Sequence, residues 1–301
     1  MSTGWHMASV YQSKEYGLAE AEDEDIISVS PEYFASKTLL KLPLLGKKLI
    51  LEARGMPSEA DLESFKNLTI SEKYFYGTIA PPVLKPNHEL FKKYKFSKVS
   101  NHTILIDLKQ DLDLLWNNLE KKSARWGVKF AIKNGLECLF AEESDLEDFY
   151  ALYLKTAERG KFTPKSFEFI KKILDSSVSK TFLVKKGNEL FAGGLLLIDK
   201  GHNYSILDIT AVSDKGMEYQ SMPFLYWNMI QYSKAKHLDF FNLGGYDAHA
   251  KKGDKLANVN KFKSRFGGTV MEQPIYSTNG KYPFLRRMLG SFGFMKRWYK
   301  K

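Results

Sequence analysis

Thiol chemistry is nearly missing from this chain: Cys138 is its one cysteine in 301 residues. No intramolecular disulfide can form, and no second thiol is present to share a metal, which suits a reducing compartment. Cys138 itself reads as a small core residue. Long apolar runs are absent too. Without a stretch of about 18 apolar residues the chain has no candidate membrane span. Met1–Ala8 has no apolar signal core, so a cytoplasmic location is expected. There is no internal repeat and no low-complexity tract. Gly-x-Ser-x-Gly, Walker and His-x-x-x-His patterns do not occur, and the six histidines are scattered. Serine-hydrolase, P-loop and zinc chemistry are therefore not expected, and neither a metal nor a cofactor is assigned.

What the chain does have is bulk and positive charge. With 44% hydrophobic and 14% aromatic residues it can bury a sizeable core, and its length favours two domains. The net charge is +10 and the pI about 9.3. That excess favours polyanionic partners such as tRNA, nucleotides, phospholipid surfaces or diphosphate-bearing precursors. The plain alternative is a soluble protein that happens to be basic.

Helix and strand patterns alternate, which predicts α/β or α+β architecture with mixed sheets. The first third holds Phe34–Leu45, Lys48–Ala53 and a helix over about 58–68. A strand at Thr103–Leu108 is expected to close that region. The next helix carries Leu112, Leu115, Trp116 and Leu119 on one face, at i, i+3, i+4 and i+7. Continued, it places Lys121, Arg125, Lys129 and Lys133 four apart in one cationic stripe, ending at Gly135. A solvated helix face explains such a stripe as simply as a phosphate-binding one does. Ser144-Asp-Leu-Glu147 reads as a capping box, and Thr163-Pro164 as the start of another helix. Gly187-Asn188 joins two strands in a hairpin. Tyr204–Thr210, a helix over 222–236, Leu238–Leu243, a short helix over 258–266 and a strand over Thr269–Ile275 follow. Gly193-Gly194, inside a strand pattern, marks a bulge or a close-packing position.

Two linked segments are the best candidates for a site. Phe240-Phe-Asn-Leu-Gly-Gly-Tyr-Asp247 runs an apolar strand into Gly244-Gly245, where a ligand can approach the backbone closely. Asn260-Lys-Phe-Lys-Ser-Arg-Phe-Gly-Gly268 then offers a short helix. Phe262 and Phe266 are predicted to face the core, which leaves Lys263 and Arg265 free to point elsewhere. A surface helix with ordinary basic residues is the bland reading.

Taken in order, these segments resemble the FemABX family of peptidoglycan-bridge transferases. Lys121-Lys122-x-x-Arg125 with Ala131-x-Lys133-x-Gly135 is similar to its lysine-rich helix. Tyr153-x-x-Thr156-x-x-Arg159-x-x-Phe162 resembles the next helix with its arginine. Phe241-x-Leu-Gly-Gly245 and Phe262-Lys263-x-x-Phe266-Gly-Gly268 resemble the closing signature. Lys41-Leu-Pro-Leu-Leu-Gly-Lys47 and Arg54-Gly55 are similar to the first domain, so the likeness runs from about Val10 to Gly268. Two departures stand out. Arg54-Gly55-Met56 replaces the family's Arg-Gly-Pro, and Arg125-Trp126-Gly127 replaces a polar run.

The resemblance implies two tandem GNAT-like subdomains. These are expected at 8–109, with 272–301 packing back on it, and at 110–271, which carries the transfer site. It implies transfer of an amino acid from aminoacyl-tRNA to an amine of a peptidoglycan-precursor stem peptide, UDP-linked or lipid-linked, with no cofactor. Lys263, beside Phe262, would stabilise the oxyanion, and Arg159 would meet the precursor's diphosphate. Gly244, Gly245 and Tyr204 are further expected substrate contacts. Lys121, Arg125, Lys129 and Lys133 are the expected polyanion contacts. No residue stands out as the general base, and the oligomeric state is not set. The stretch 281–301 combines Phe284, Leu285, Leu289, Phe292, Phe294 and Trp298 with seven lysines and arginines, which fits peripheral contact with an anionic membrane or packing on the first domain. Two rivals remain. One is an acyl-CoA- or acyl-carrier-dependent enzyme on the same fold, although the Gln/Arg-x-x-Gly-x-Gly/Ala loop is absent. The other is a non-catalytic tRNA- or membrane-binding module.

Overall fold

A computed structural model describes residues 9–42, 46–82, 87–174, 176–281 and 297–298. The chain divides into two compact units. One comprises the chain up to Asn101 with the segment from Glu272 onward, and the other is His102–Met271.

The first unit begins with α1 (Lys14–Glu20). A meander follows, made of β1 (Asp25–Ser30), β2 (Tyr33–Leu42) and β3 (Gly46–Arg54). Helix α2 (Glu59–Ser71) starts at a capping box in which Ser58 and Asp61 satisfy each other's backbone N–H. It carries the chain over to β4 (Tyr76–Ala80), which pairs parallel with β3 without interruption from Ile50↔Tyr76 to Arg54↔Ala80. A parallel pair requires such a crossover. After α3 (His88–Lys93) comes β5 (Ser97–Val99) at the sheet edge. Leu51, Leu62, Phe65, Ile79 and Phe91 fill this core.

The second unit repeats the scheme. It opens with β6 (His102–Asp107), α4 (Leu112–Asn118) and α5 (Ala124–Lys133), then β7 (Glu137–Phe140), α6 (Leu146–Gly160) and α7 (Phe167–Leu174). Strands β8 (Ser179–Lys186), β9 (Glu189–Asp199) and β10 (Tyr204–Val212) make an antiparallel meander. Two helices, α8 (Asp214–Glu218) and α9 (Ser221–Ala235), cross over to β11 (Phe240–Tyr246), which pairs parallel with β10. Then come α10 (Lys255–Ser264) and β12 (Thr269–Glu272). The sheet order is β12-β6-β11-β10-β9-β8-β7. Leu225 and Met229 of α9 are fully buried against this sheet. Gly193 and Gly194 make the sheet's centre thin enough to be covered on both sides. A Cβ at Gly193 would lie 2.7 Å from the Phe149 ring of α6, and one at Gly194 would lie 2.7 Å from Met229 Cε of α9. Pairing with β8 runs unbroken through both, so they are close-packing positions and not a bulge.

The chain then re-enters the first sheet with β13 (Ile275–Ser277), between β4 and β5. Finally β14 (Arg297–Trp298) pairs with β2. Each unit thus has a mixed sheet, and the chain end returns to the first, as expected. Most of 281–301 lies outside the described residues, among them all the apolar positions named for a membrane except Trp298. Among the described residues no helix is long and apolar enough to cross a bilayer.

Several local expectations are corrected. The strand at His102–Asp107 does not close the first unit but pairs antiparallel with β11 in the second sheet. Thr269–Ile275 is two strands in two sheets, separated at Gln273-Pro274. The capping box lies at Glu142/Asp145, not Ser144/Glu147. Ser166, whose hydroxyl accepts from Phe169 N, caps α7 in place of Thr163. The helix expected to run unbroken through Lys133 is interrupted over 119–123, which places Lys121 in a turn.

Candidate active site

The two parallel pairs differ in one respect. β3 and β4 stay in register over five residues, whereas β10 and β11 pair only from Tyr204↔Phe240 to Ile206↔Asn242 and then part. Both strands bulge where they separate. On β10 the register against β9 slips between Leu207 and Ile209, and on β11 the register against β6 slips between Asn242 and Gly245. A bulge bends its strand and releases local pairing. The β11 bulge needs Gly244, whose φ of +79° is strained for any residue with a Cβ. It is held by Asn242, a buried side chain whose Oδ1 accepts from Gly244 N at 2.8 Å and from the Thr103 hydroxyl. Beyond it, a Cβ at Gly245 would meet nothing within 4 Å, so this backbone is open to a ligand.

Helix α10 brings the lysine to this place. Asn260 bridges both backbone groups of Asp247, accepting from its N at 3.1 Å and donating to its O at 2.7 Å. Further along, Phe262 and Phe266 stack edge-on and tilted against Tyr226 of α9, with ring centroids 5.3 and 5.0 Å away. With the helix clamped on those sides, half-buried Lys263 points its Nζ at Gly245 O, 2.9 Å away. Burial lowers its pKa to about 8, so near neutrality it is still mostly a cation. Burial also raises the Tyr226 hydroxyl above the ordinary tyrosine range, leaving it a neutral hydrogen-bonding group.

Arg159 lies at the end of β10. From the last turn of α6 it donates to Val212 O at the end of β10 (2.9 Å) and pairs with Asp214 at 2.9 Å. Asp214 is 87% exposed, so that pair is weak and available to a competing anion. Lys255, at the start of α10, donates to Gly160 O at 2.7 Å, which ties α10 to the end of α6. Lys255 and Lys263 are eight residues apart, about 12 Å along the helix axis. The parted strand ends therefore carry one cation each, with α10 alongside.

Of the expected site residues, Lys263, Phe262, Gly244 and Gly245 come together, whereas Arg159 is held at Val212, the end of β10, and is tied to α10 through Lys255. Tyr204 does not join them: it is buried where β10 begins, in the paired stretch before the strands part. Arg125, Lys129 and Lys133 keep their stripe on α5 without Lys121. Sequence reading did not single out Asn242, Thr103 or Asn260. Asn242 and Asn260 stand inside the very motifs that named the lysine and the glycines. Thr103 lies 139 positions from Asn242, beyond any local signal.

The sequence matches the FemAB family over residues 87–184 and 177–274, more than half of the chain. No curated protein matches it. Among solved structures it is similar to FemX, with 15% identity, a TM-score of 0.65, and coverage of 92% of this chain and 94% of that one. It is also similar to L-PGS from Bacillus licheniformis, at 11% identity and a TM-score of 0.66, covering 94% and 97% of the two chains. A third is the C-terminal domain of a candidate lysylphosphatidylglycerol synthetase from Agrobacterium fabrum, at 15%, 0.66, 94% and 93%. At these identities the likeness establishes the fold.

Proposed function

This chain belongs to the FemAB family, and from that premise we propose that it is an aminoacyltransferase, moving an amino acid from aminoacyl-tRNA to an amine of a peptidoglycan-precursor stem peptide. The observation that carries the reading is the placement of Lys263 Nζ against Gly245 O, where β10 and β11 part.

The acceptor amine attacks the ester carbonyl carbon and forms a C–N bond. Negative charge develops on the carbonyl oxygen, where the Lys263 cation stabilises it. Collapse breaks the C–O bond to the terminal ribose, and the proton lost from the amine ends on the ribose oxygen. Phe262 holds the helix in register by packing on Tyr226. Arg159 exchanges its exposed aspartate for the precursor's diphosphate. The ester is already activated, so neither ATP nor a cofactor is required for the step.

The test is transfer of radiolabel from charged tRNA to a UDP-linked muramyl pentapeptide, with Lys263→Ala as control. Transfer by the wild type that is lost in the variant establishes donor, acceptor and residue together. A folded wild type that uses neither this acceptor nor a lipid-linked precursor, but does use acyl-CoA, overturns the reading.

A further inference from the structure

Helix α5, Ala124-Arg-Trp-Gly-Val-Lys-Phe-Ala-Ile-Lys133, contains no acidic residue. Its buried side is Ala124, Gly127, Val128 and Ala131, and Gly127 allows α9 to approach so closely that a Cβ there would lie 2.9 Å from Pro223. The other side faces solvent and is unusual in content. Trp126 is 50% exposed, and its ring lies 5.0 Å from that of half-buried Phe130, tilted by 31°. With Ala124 at zero and 100° per residue, Arg125, Lys129 and Lys133 fall at about 100°, 140° and 180°, and Trp126 and Phe130 at about 200° and 240°. A cationic row thus runs beside an aromatic ledge.

That order decides between two polyanions. A helix lying on a bilayer needs its apolar residues central and its cations at the margins. Here the cations hold the centre of the exposed arc and the rings lie to one side. A nucleic-acid single strand wants this layout, with phosphates along the cations and unstacked bases on the rings. The position fits as well. In the turn before α5, Glu120 N donates to Arg265 O at 2.8 Å, so the start of the helix is anchored two residues from Lys263. Arg125 keeps a buried Nε with no hydrogen-bond acceptor among the described residues, whereas the Arg265 Nε lies 3.4 Å from the Glu120 carboxylate.

We propose that the exposed face of α5 binds the single-stranded 3′ end of an RNA, with phosphates on Arg125, Lys129 and Lys133 and an unpaired base stacked on Trp126 and Phe130. This rests on the reading of aminoacyl-tRNA as donor and says where its 3′ strand lies. It also gives Trp126 a task in a chain that departs from its family's polar run at this position.

The experiment is fluorescence anisotropy with a labelled RNA hairpin bearing a four-base 3′ overhang, beside the same hairpin with a blunt end. Trp126→Ala should weaken overhang binding about 5- to 150-fold, the range for losing one base–aromatic stack. Trp126→Phe should restore most of it, and the blunt hairpin should not respond to either variant. Lys129→Ala should weaken both RNAs. Trp126 is exposed, so its variants should melt with the wild type. Equal binding of the overhang hairpin by wild type and Trp126→Ala overturns the proposal. So does loss of binding to phosphatidylglycerol vesicles in that variant with RNA binding intact. Transfer assays keep the two readings apart: a wild type that transfers from charged tRNA while Trp126→Ala binds normally sinks only this inference. Loss of overhang binding in a protein that transfers from no charged tRNA sinks only the function.

Discussion

Lys263 is held between two demands. Its charge is needed where the oxyanion forms, yet the burial that excludes water lowers its pKa to about 8. Lys263→Ala should reduce transfer about 10²–10³-fold, as loss of one oxyanion donor does, without lowering the melting temperature. The pH profile tests the assignment more finely. An acceptor lysine amine ordinarily titrates near pH 10.4, so raising the pH increases the attacking free base. Above pH 8 Lys263 loses its proton as fast as the amine gains its free base, so the rate should level off, and it should fall only above about pH 10.4. Lys263→Arg, if active, should keep rising there, because guanidinium stays charged. Stability carries the same signature with a definite sign. The folded-state pKa lies below the ordinary 10.5, so between about pH 8 and 10.5 the unfolded chain binds more protons, and this group makes folding more favourable as pH rises. Melts of wild type and Lys263→Met across that window should converge toward its upper end. Cys138, by contrast, is raised to about 12 by burial and stays an unreactive thiol, in keeping with its reading as a packing residue.

At the scale of elements, what was legible was what local chemistry dictates. Gly187-Asn188 announced the β8–β9 hairpin, and Lys186 pairs with Glu189 across that two-residue turn. Gly244-Gly245 marked where β11 bulges, although the strand runs on to Tyr246, and the spacing of Phe262 and Phe266 gave the side of their segment that packs on Tyr226. Tertiary ties decided what was not legible. A single apolar and cationic period runs from Leu112 to Lys133, yet Leu119 turns inward. Glu120 then gives its N–H to Arg265 O, while its own O takes Ser123 N and Arg125 N. That tie to α10 breaks the helix and removes Lys121 from the stripe. β6 joined the wrong domain because its partner β11 is more than 130 residues away. The thin centre of the second sheet offers the stability test at this scale. Gly193→Ala drives a methyl against the Phe149 ring and should cost about 1–3 kcal/mol, the usual range for overpacking. Gly194→Ala, opposed by a flexible methionine end, should cost less. Thermal melts of the two variants measure both the cost and the ranking.

The whole molecule uses one topological scheme twice, with a meander, a helical crossover and a parallel return in each unit. Only the second unit opens that parallel pair. The first keeps β3 and β4 zipped, which leaves it no comparable gap between strands. A net charge of +10 surrounds this arrangement, and charge of that size acts on binding before any specific contact forms. Counterion release then makes a quantitative demand on the α5 reading. Each phosphate neutralised on a single strand contributes about −0.7 to the slope of log K against log salt. A diffuse field from the whole surface would lose little when one cation is removed. A built row would lose a definite contact. Arg125→Ala and Lys129→Ala should each flatten the overhang hairpin's slope by about 0.7 and weaken binding at every salt concentration, whereas Lys121→Ala, out of line in its turn, should leave the slope near the wild-type value. Titrations between 50 and 200 mM salt separate these cases. Equal slopes for all three variants would assign RNA binding to overall charge and return the cations of α5 to a solvated face.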